Sequence, residues 1–353
     1  RLIYTEDGSI PDAQNLNGKA YNYKNQYAEF PGQSNGPLLT GNYRSKLFQK
    51  AIEVKSKKDI PNKISRISST WHFSPYYFPN FPIPKATVIR AVATKSGYLN
   101  SEIVTETYFL DKNQSKNPEF DVISLNIQED HLFSFEKGVY NAGKLFEEYR
   151  IKNPSSIADF CTPGNFANEG DLFEKPVNFE LFRSEKQAIN QNISFKIHGA
   201  CSRSIPYKSL RLYGKNNFEN FPFFQDRPEL TQDNFILRNS GDDYNGTLLR
   251  DIFVHDLVGH FNFGSQKTQA SVVYINGEYW GIQNIRERLD KYYLNKHFGV
   301  DLENIDLRKV IWNGPHETEY GDDIHYNQML NYVINNDLSI HQNYEKAITF
   351  LDP

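Results

Sequence analysis

Between Phe195 and Leu212 the chain reads Phe-Lys-Ile-His-Gly-Ala-Cys-Ser-Arg-Ser-Ile-Pro-Tyr-Lys-Ser-Leu-Arg-Leu, and these are residue types that can receive an anion. Gly199, Ala200, Ser202, Arg203 and Ser204 make a small, polar and basic turn. Small side chains let backbone N–H groups approach an anion closely. Arg203 and Lys208 supply the positive charge that triphosphate oxygens require. A phosphate cradle is one reading of this stretch. A polar hairpin on an antiparallel sheet is the other, because small polar turns are common.

The turn needs strands to hold it. Phe195 and Ile197 alternate with Lys196 and His198, and Tyr207, Leu210 and Leu212 flank Lys208, Ser209 and Arg211, which predicts a strand on either side. Further on, Leu249, Ile252, Phe253 and Leu257 fall at i, i+3, i+4 and i+8 and predict a helix over 246–261, with Arg250 near its start. Asp251 with His255, and Asp256 with His260, stand four apart on it. That spacing suits a metal pair or, more commonly, ion pairs on a polar face. Asn276-Gly277 between Val272–Ile275 and Tyr279–Ile285 is a strong hairpin signal. A helix from about Arg288 should stop at Gly299, residues 305–312 read as a strand, and Tyr326, Met329, Leu330 and Val333 mark a last helix with Asp322 as its N-cap.

Composition narrows the classes. The net charge of −4 argues against a general nucleic-acid binder, and no tract of 18 apolar residues predicts a transmembrane helix. With 26 Phe and 22 Tyr, large apolar area can be buried, so a folded chain of about two domains follows. The chain opens on Arg1 and holds a single Met, which reads as a mature or cloned piece without its targeting segment. Cys161 and Cys201 are the only cysteines; they either form one bridge, in an oxidising compartment, or remain buried thiols. Walker, dinucleotide, zinc-protease and serine-hydrolase motifs do not occur.

Residues 1–112 read as all-β, with Asp7-Gly8 as a turn and Ala86–Ala93 and Ile103–Leu110 as strands. Trp71, Tyr76, Tyr77 and Phe78 there are either packing residues or a sugar platform. Residues 113–119, within the polar run Asp111–Glu119, are the expected linker, and 120–353 the second domain, entered by strands near Phe120–Leu125 and Pro176–Phe182. Asn165 to Asp171 resembles an acidic Ca2+ loop only loosely and lacks its distal glutamate, so a solvated turn is expected.

The segment His-Gly-x-x-Ser-Arg-x-x-x-x-Lys-Ser-Leu-Arg-Leu, then Ile-Leu-Arg-Asn-Ser-Gly-Asp-Asp at 236–243 and Val-Val-Tyr-Ile-Asn-Gly-Glu-Tyr-Trp-Gly-Ile-Gln-Asn-Ile-Arg-Glu-Arg-Leu-Asp at 272–290, resemble in order and spacing the CotH family of atypical protein kinases. The resemblance reaches back to about residue 120. It implies a kinase-like antiparallel sheet with packed helices, ATP with Mg2+ or Mn2+, and transfer to serines of a protein partner. By this resemblance Lys208 would hold the α and β phosphates, Arg203, Ser202 and the backbone from Gly199 to Ser204 would cover them, and Arg250 would add charge. Glu287 would orient Lys208 or contribute to the nucleotide site through its carboxylate, and Trp312 or its neighbours could pack on adenine. The family's Asn-x-Asp segment with a later Asn, and its Trp-Asp-x-Asp segment for metal, are expected to lie downstream, so the C-terminal lobe is read as absent, no catalytic or metal residue is assigned, and the chain alone is expected to be inactive.

Residues 1–110 similarly resemble the immunoglobulin-like β-sandwich at the C-termini of chitobiases and hexosaminidases. That appendage implies a secreted or cell-surface bacterial protein. The expected fold class is therefore α+β. The competing reading is a non-catalytic extracellular adhesive or carbohydrate-binding scaffold, whose partner would be a cell-surface glycan.

Overall fold

A computed structural model describes residues 1–110, 120–261, 264–309 and 316–351. They form two compact units, Arg1–Glu287 and Arg288–Pro353. The expected linker and Trp312 lie outside the described residues.

The N-terminal part of the first unit is built from short antiparallel strands. β1 (Leu2–Thr5), β4 (Lys46–Leu47), β5 (Thr87–Ala93) and β6 (Val104–Tyr108) form a sheet in the order β4-β1-β5-β6, while β2 (Lys19–Tyr23) and β3 (Leu39–Tyr43) pair separately. The region is all-β, as expected, but it consists of these small sheets.

The second part of the unit holds a mixed sheet in place of the purely antiparallel one expected. β7 (Asp121–Asn126), β8 (Lys175–Arg183), β9 (Lys186–His198), β10 (Ser209–Tyr213), β11 (Asn234–Arg238), β12 (Thr268–Ile275) and β13 (Glu278–Arg286) close into a seven-stranded barrel, β10-β11-β13-β12-β7-β8-β9. Closure comes from one parallel pair: β7 lies along β12 from Asp121↔Ser271 to Leu125↔Ile275. A closed sheet leaves no edge strand with unpaired backbone groups. Alternate residues of these strands, among them Leu125, Phe179, Phe195, Leu212, Phe235 and Ile285, point into one core. Phe179, Phe218, Phe223 and Phe235 meet there with ring centroids as close as 4.8 Å.

All six residues of β7 are buried, which the barrel interior alone does not explain. On its outer face Thr107 of β6 shares a hydrogen bond with Ser124 at 2.8 Å, and the Thr107 N–H donates to Glu180 at 3.0 Å. The N-terminal sheet thus covers β7 and β8 with a satisfied polar network. Asn276-Gly277 turns the β12–β13 hairpin, with φ of 50° and 82°, as a two-residue hairpin loop requires. A Cβ on Gly277 would stand 2.5 Å from the Ala86 carbonyl oxygen, so no other residue fits there.

Helices decorate the barrel. α1 (Glu129–Phe133) and α2 (Gly143–Lys152) follow β7, α3 (Asn216–Asn220) is a left-handed turn, and α4 (Arg250–Val258) is the helix expected over 246–261. The apolar stripe of α4 is not a core face: Leu249, Phe253 and Leu257 are exposed.

The second unit holds α5 (Lys291–Phe298), the paired strands β14 (Leu307–Lys309) and β15 (Glu317–Tyr320), α6 (Ile324–Asn335) and α7 (His341–Ile348). Asp290 caps α5 by accepting the N–H groups of Tyr292 and Tyr293, and Gly299 ends it with φ of 68°. Asp323, not Asp322, is the N-cap of α6; Asp322 instead accepts the Ile324 N–H at 2.8 Å.

Candidate functional site

The basic turn joins β9 to β10 and is tied down on both sides. Gly199 has φ of 125°, and a Cβ there would meet the Ser202 hydroxyl at 2.4 Å, so the close approach needs glycine. Cys201 to Ser204 form one 3-10 turn. Of the two states open to the cysteines, the structure shows the bridge: Cys161 and Cys201 are disulfide-bonded with their Cα atoms 4.5 Å apart. Ser204 donates to the Phe160 carbonyl at 2.7 Å beside it. The turn and the loop carrying Phe160 therefore hold one geometry.

Within this frame the two cations go different ways. Arg203 donates to the Ala200 carbonyl at 3.2 Å and to Glu169 at 2.9 Å. Lys208 precedes β10 instead of lying on a strand, and it is fully buried. Its ammonium donates to the Ile205 carbonyl at 2.9 Å and faces the rings of Phe166 at 4.5 Å and Tyr140 at 5.3 Å. Among the described residues no carboxylate pairs with it. Burial, with no opposing charge, pushes its pKa well below the ordinary lysine value.

The backbone of Lys208 is held as firmly. Its N–H donates to the Tyr140 hydroxyl at 3.0 Å, which also accepts the Trp280 indole N–H at 2.8 Å, and its carbonyl accepts from Gln283 at 3.0 Å. Tyr140, Phe166, Trp280 and Gln283 were not singled out in the sequence. Tyr140, Phe166 and Trp280 carried an aromatic signal shared with many core residues, and Trp280 and Gln283 stand within the 272–290 segment that carries the family resemblance.

Glu287, four residues beyond Gln283, lies roughly 13 Å along an extended chain from the residue that touches Lys208. It is buried, and its carboxylate accepts the Lys267 N–H at 3.0 Å and the Gln232 side chain at 3.5 Å. Arg250 is exposed and stands 3.8 Å from Asp243. Asp243 in turn accepts the Thr247 hydroxyl at 2.6 Å and the Leu249 and Arg250 N–H groups at 3.1 Å; the Thr247 hydroxyl first, then the Arg250 and Thr247 N–H groups, hold its pKa down to about 2. Of the five expected phosphate-site residues, the structure gathers Ser202, Arg203 and Lys208 on one connection, while Glu287 and Arg250 have partners elsewhere.

A second cationic cluster was missed. Arg286, at the end of β13, is fully buried and donates to Asp251 of α4 at 2.7 Å and to Gln266 at 2.8 Å. Arg238 of β11 reaches the same Asp251 oxygen at 2.7 Å. Burial acts to raise the Asp251 pKa, but the two guanidiniums outweigh it and hold it below the usual carboxylate value. His255 accepts the Gln266 N–H at 3.1 Å. Asp251 and His255 thus serve separate partners, and among the described residues no group of three or more His, Cys, Asp or Glu could hold a metal ion.

The remaining motifs resolve into structure. In the 165–171 loop, Phe166 faces Lys208, Glu169 pairs with Arg203, and Asp171 pairs with Lys196 at 3.3 Å. Trp71 is buried and the Tyr77 hydroxyl accepts the Ser69 N–H at 3.0 Å, while Tyr76 is exposed. Two Asn-x-Asp triplets occur after all: Asn304-Ile305-Asp306, whose Asp306 accepts the Asp322 N–H at 2.8 Å, and Asn335-Asn336-Asp337 at the end of α6. Asp337 there accepts the Ser339 N–H at 2.9 Å and closes a turn.

A lysine sealed against aromatic faces beside a glycine-bearing basic turn, on a closed barrel, is an arrangement with an open demand for negative charge. Residues 195–352 match the family model described as CotH kinase protein, so a CotH kinase family domain lies in this stretch. No curated protein matches the chain. The family implies ATP as phosphoryl donor.

Proposed function

We propose that this chain carries the phosphate-binding part of a CotH-like atypical protein kinase, in which Lys208 receives the nucleotide's phosphates. The observation that carries the reading is the Lys208 ammonium, fully buried, with one carbonyl and two ring faces for partners and no counter-charge among the described residues. An isolated buried charge is costly, and an anionic phosphate oxygen is the partner that would offset it. Because Lys208 is sealed, a phosphate oxygen takes the place of the Ile205 carbonyl, just past the 3-10 turn that the disulfide holds. Arg203, Ser202 and the N–H groups of that turn then cover the phosphates. Arg250 and Glu287 act at the edge of the same nucleotide site in this proposal.

ATP enters with Mg2+ or Mn2+, and the acceptors are serines of a protein partner. Residues 1–112 serve as an immunoglobulin-like accessory domain. A secreted or cell-surface location is supported by the Cys161–Cys201 disulfide, which persists in oxidising compartments. In the described residues no helix is long and apolar enough to cross a membrane.

Calorimetric titration with Mg·ATP tests this. The expected result is weak, saturable binding that Lys208→Met removes while circular dichroism stays unchanged. Binding of equal strength in Lys208→Met would place the phosphates elsewhere.

A further inference from the structure

A cavity of about 420 Å³ lies between the N-terminal strands and the β12–β13 hairpin, away from the basic turn. Its walls are dense in charge, and the useful question is which charges already have partners. Glu6 is paired with Lys46, Glu53 with Lys55 at 3.0 Å, and the buried Glu129 with Lys63. Asp7 accepts the Ser9 N–H at 3.0 Å, and Glu278 accepts the Ser65 N–H at 2.9 Å. Every carboxylate lining the cavity is therefore met by a donor within the chain.

Three cations lining it are not met in kind. The Lys57 ammonium donates to the Glu6 backbone carbonyl at 2.9 Å. The Lys85 ammonium, on a residue only 5% exposed, donates to the Asn62 amide oxygen at 2.9 Å and the Ile83 carbonyl at 3.1 Å. Arg44 is exposed at the rim. Among the described residues none of the three forms an ion pair; burial pushes Lys57 and Lys85 below the usual lysine pKa, while Glu6, Asp7 and Glu278 act on Lys57, and Glu278 on Lys85, in the opposite direction. With Asp7 and Glu278 near but not in ion-pair contact, the two ammoniums and the guanidinium keep donor capacity that an anion in this void would use.

We propose that this cavity binds a sulfate or phosphate monoester, its oxyanion held by Lys57, Lys85 and Arg44. A tetrahedral oxyanion presents oxygens in several directions, which suits three donors arriving from different segments. The void exceeds a bare oxyanion, leaving room for the group that carries it.

The test is calorimetric titration of the full chain at constant ionic strength, with sodium sulfate, sodium phosphate at pH 8, and phenyl phosphate and 4-nitrophenyl sulfate as monoesters. Saturable binding of an ion, with tighter binding of the matching monoester, is expected; which monoester gains separates sulfate from phosphate. Arg44→Ala, on an exposed side chain that leaves folding intact, should weaken it about tenfold, and Arg44→Ala with Lys57→Met further. Lys208→Met should leave it unchanged. Responses no stronger than chloride, monoesters weaker than the bare ions, full affinity in Arg44→Ala, or loss in Lys208→Met would each overturn the proposal.

Discussion

Two cations on the barrel have no solvent exposure, Lys208 before β10 and Arg286 at the end of β13. Arg286 has what a buried charge requires: Asp251 at 2.7 Å, Gln266 at 2.8 Å, and a carboxylate shared with Arg238. Lys208 has one carbonyl and two aromatic faces. A compensated cation ties elements together, here α4 to β11 and β13. An uncompensated one costs stability in the free protein and gains when an anion arrives. The contrast separates a structural cation from a binding one on the same barrel, by partners and not by depth.

Breaking the compensated side should give the larger effect. Asp251→Ala leaves two guanidiniums without their carboxylate, one of them sealed. It is expected to lower stability by about 2–3 kcal/mol in urea denaturation, below the range for fully enclosed pairs because Asp251 is a quarter exposed. A loss under about 0.5 kcal/mol would show that Arg286 is satisfied without it.

How much of this contrast was legible beforehand depends on sequence distance. The hairpin at Asn276-Gly277 and the end of α5 at Gly299 are local signals, and the structure has them where residue type put them; strands flank the basic turn as expected, but β10 starts at Ser209, past Tyr207 and Lys208. α4 was legible as a helix, but exposure of Leu249, Phe253 and Leu257 depends on what packs nearby, which a period does not encode. Barrel closure rests on β7 pairing with β12 across some 150 residues, and no local pattern announces a parallel partner. Lys208 and Arg203 stood out by type and spacing. Tyr140 and Phe166, which decide how the Lys208 charge is held, come from loops far along the chain. The Arg286–Asp251 pair needs β13 and α4 adjacent, so from sequence both residues had only neighbouring charges for partners.

Breaking the uncompensated side should give a smaller effect of opposite sign. Lys208→Met removes a desolvated charge and keeps a similar length of chain, so stability is expected to stay level or rise by up to about 1 kcal/mol at neutral pH. The gain has a defined pH dependence. The folded-state pKa of Lys208 is depressed, so between that value and the unfolded value of 10.5 the unfolded chain binds more protons and wild-type stability rises with pH. The advantage of Lys208→Met should therefore be largest below the folded pKa and vanish as pH passes 10.5. Denaturation series at several pH values check this, and a variant that is less stable throughout would mean that Lys208 is structural.

The most direct test follows the Lys208 ammonium itself by NMR, as a pH titration of its Cε and Nζ signals with and without Mg·ATP. The account predicts deprotonation well below the ordinary 10.5 in the free protein and a clear upward shift with nucleotide bound, because phosphate charge favours the protonated form. An ordinary value in the free protein, or a titration that Mg·ATP leaves where it was, would contradict it.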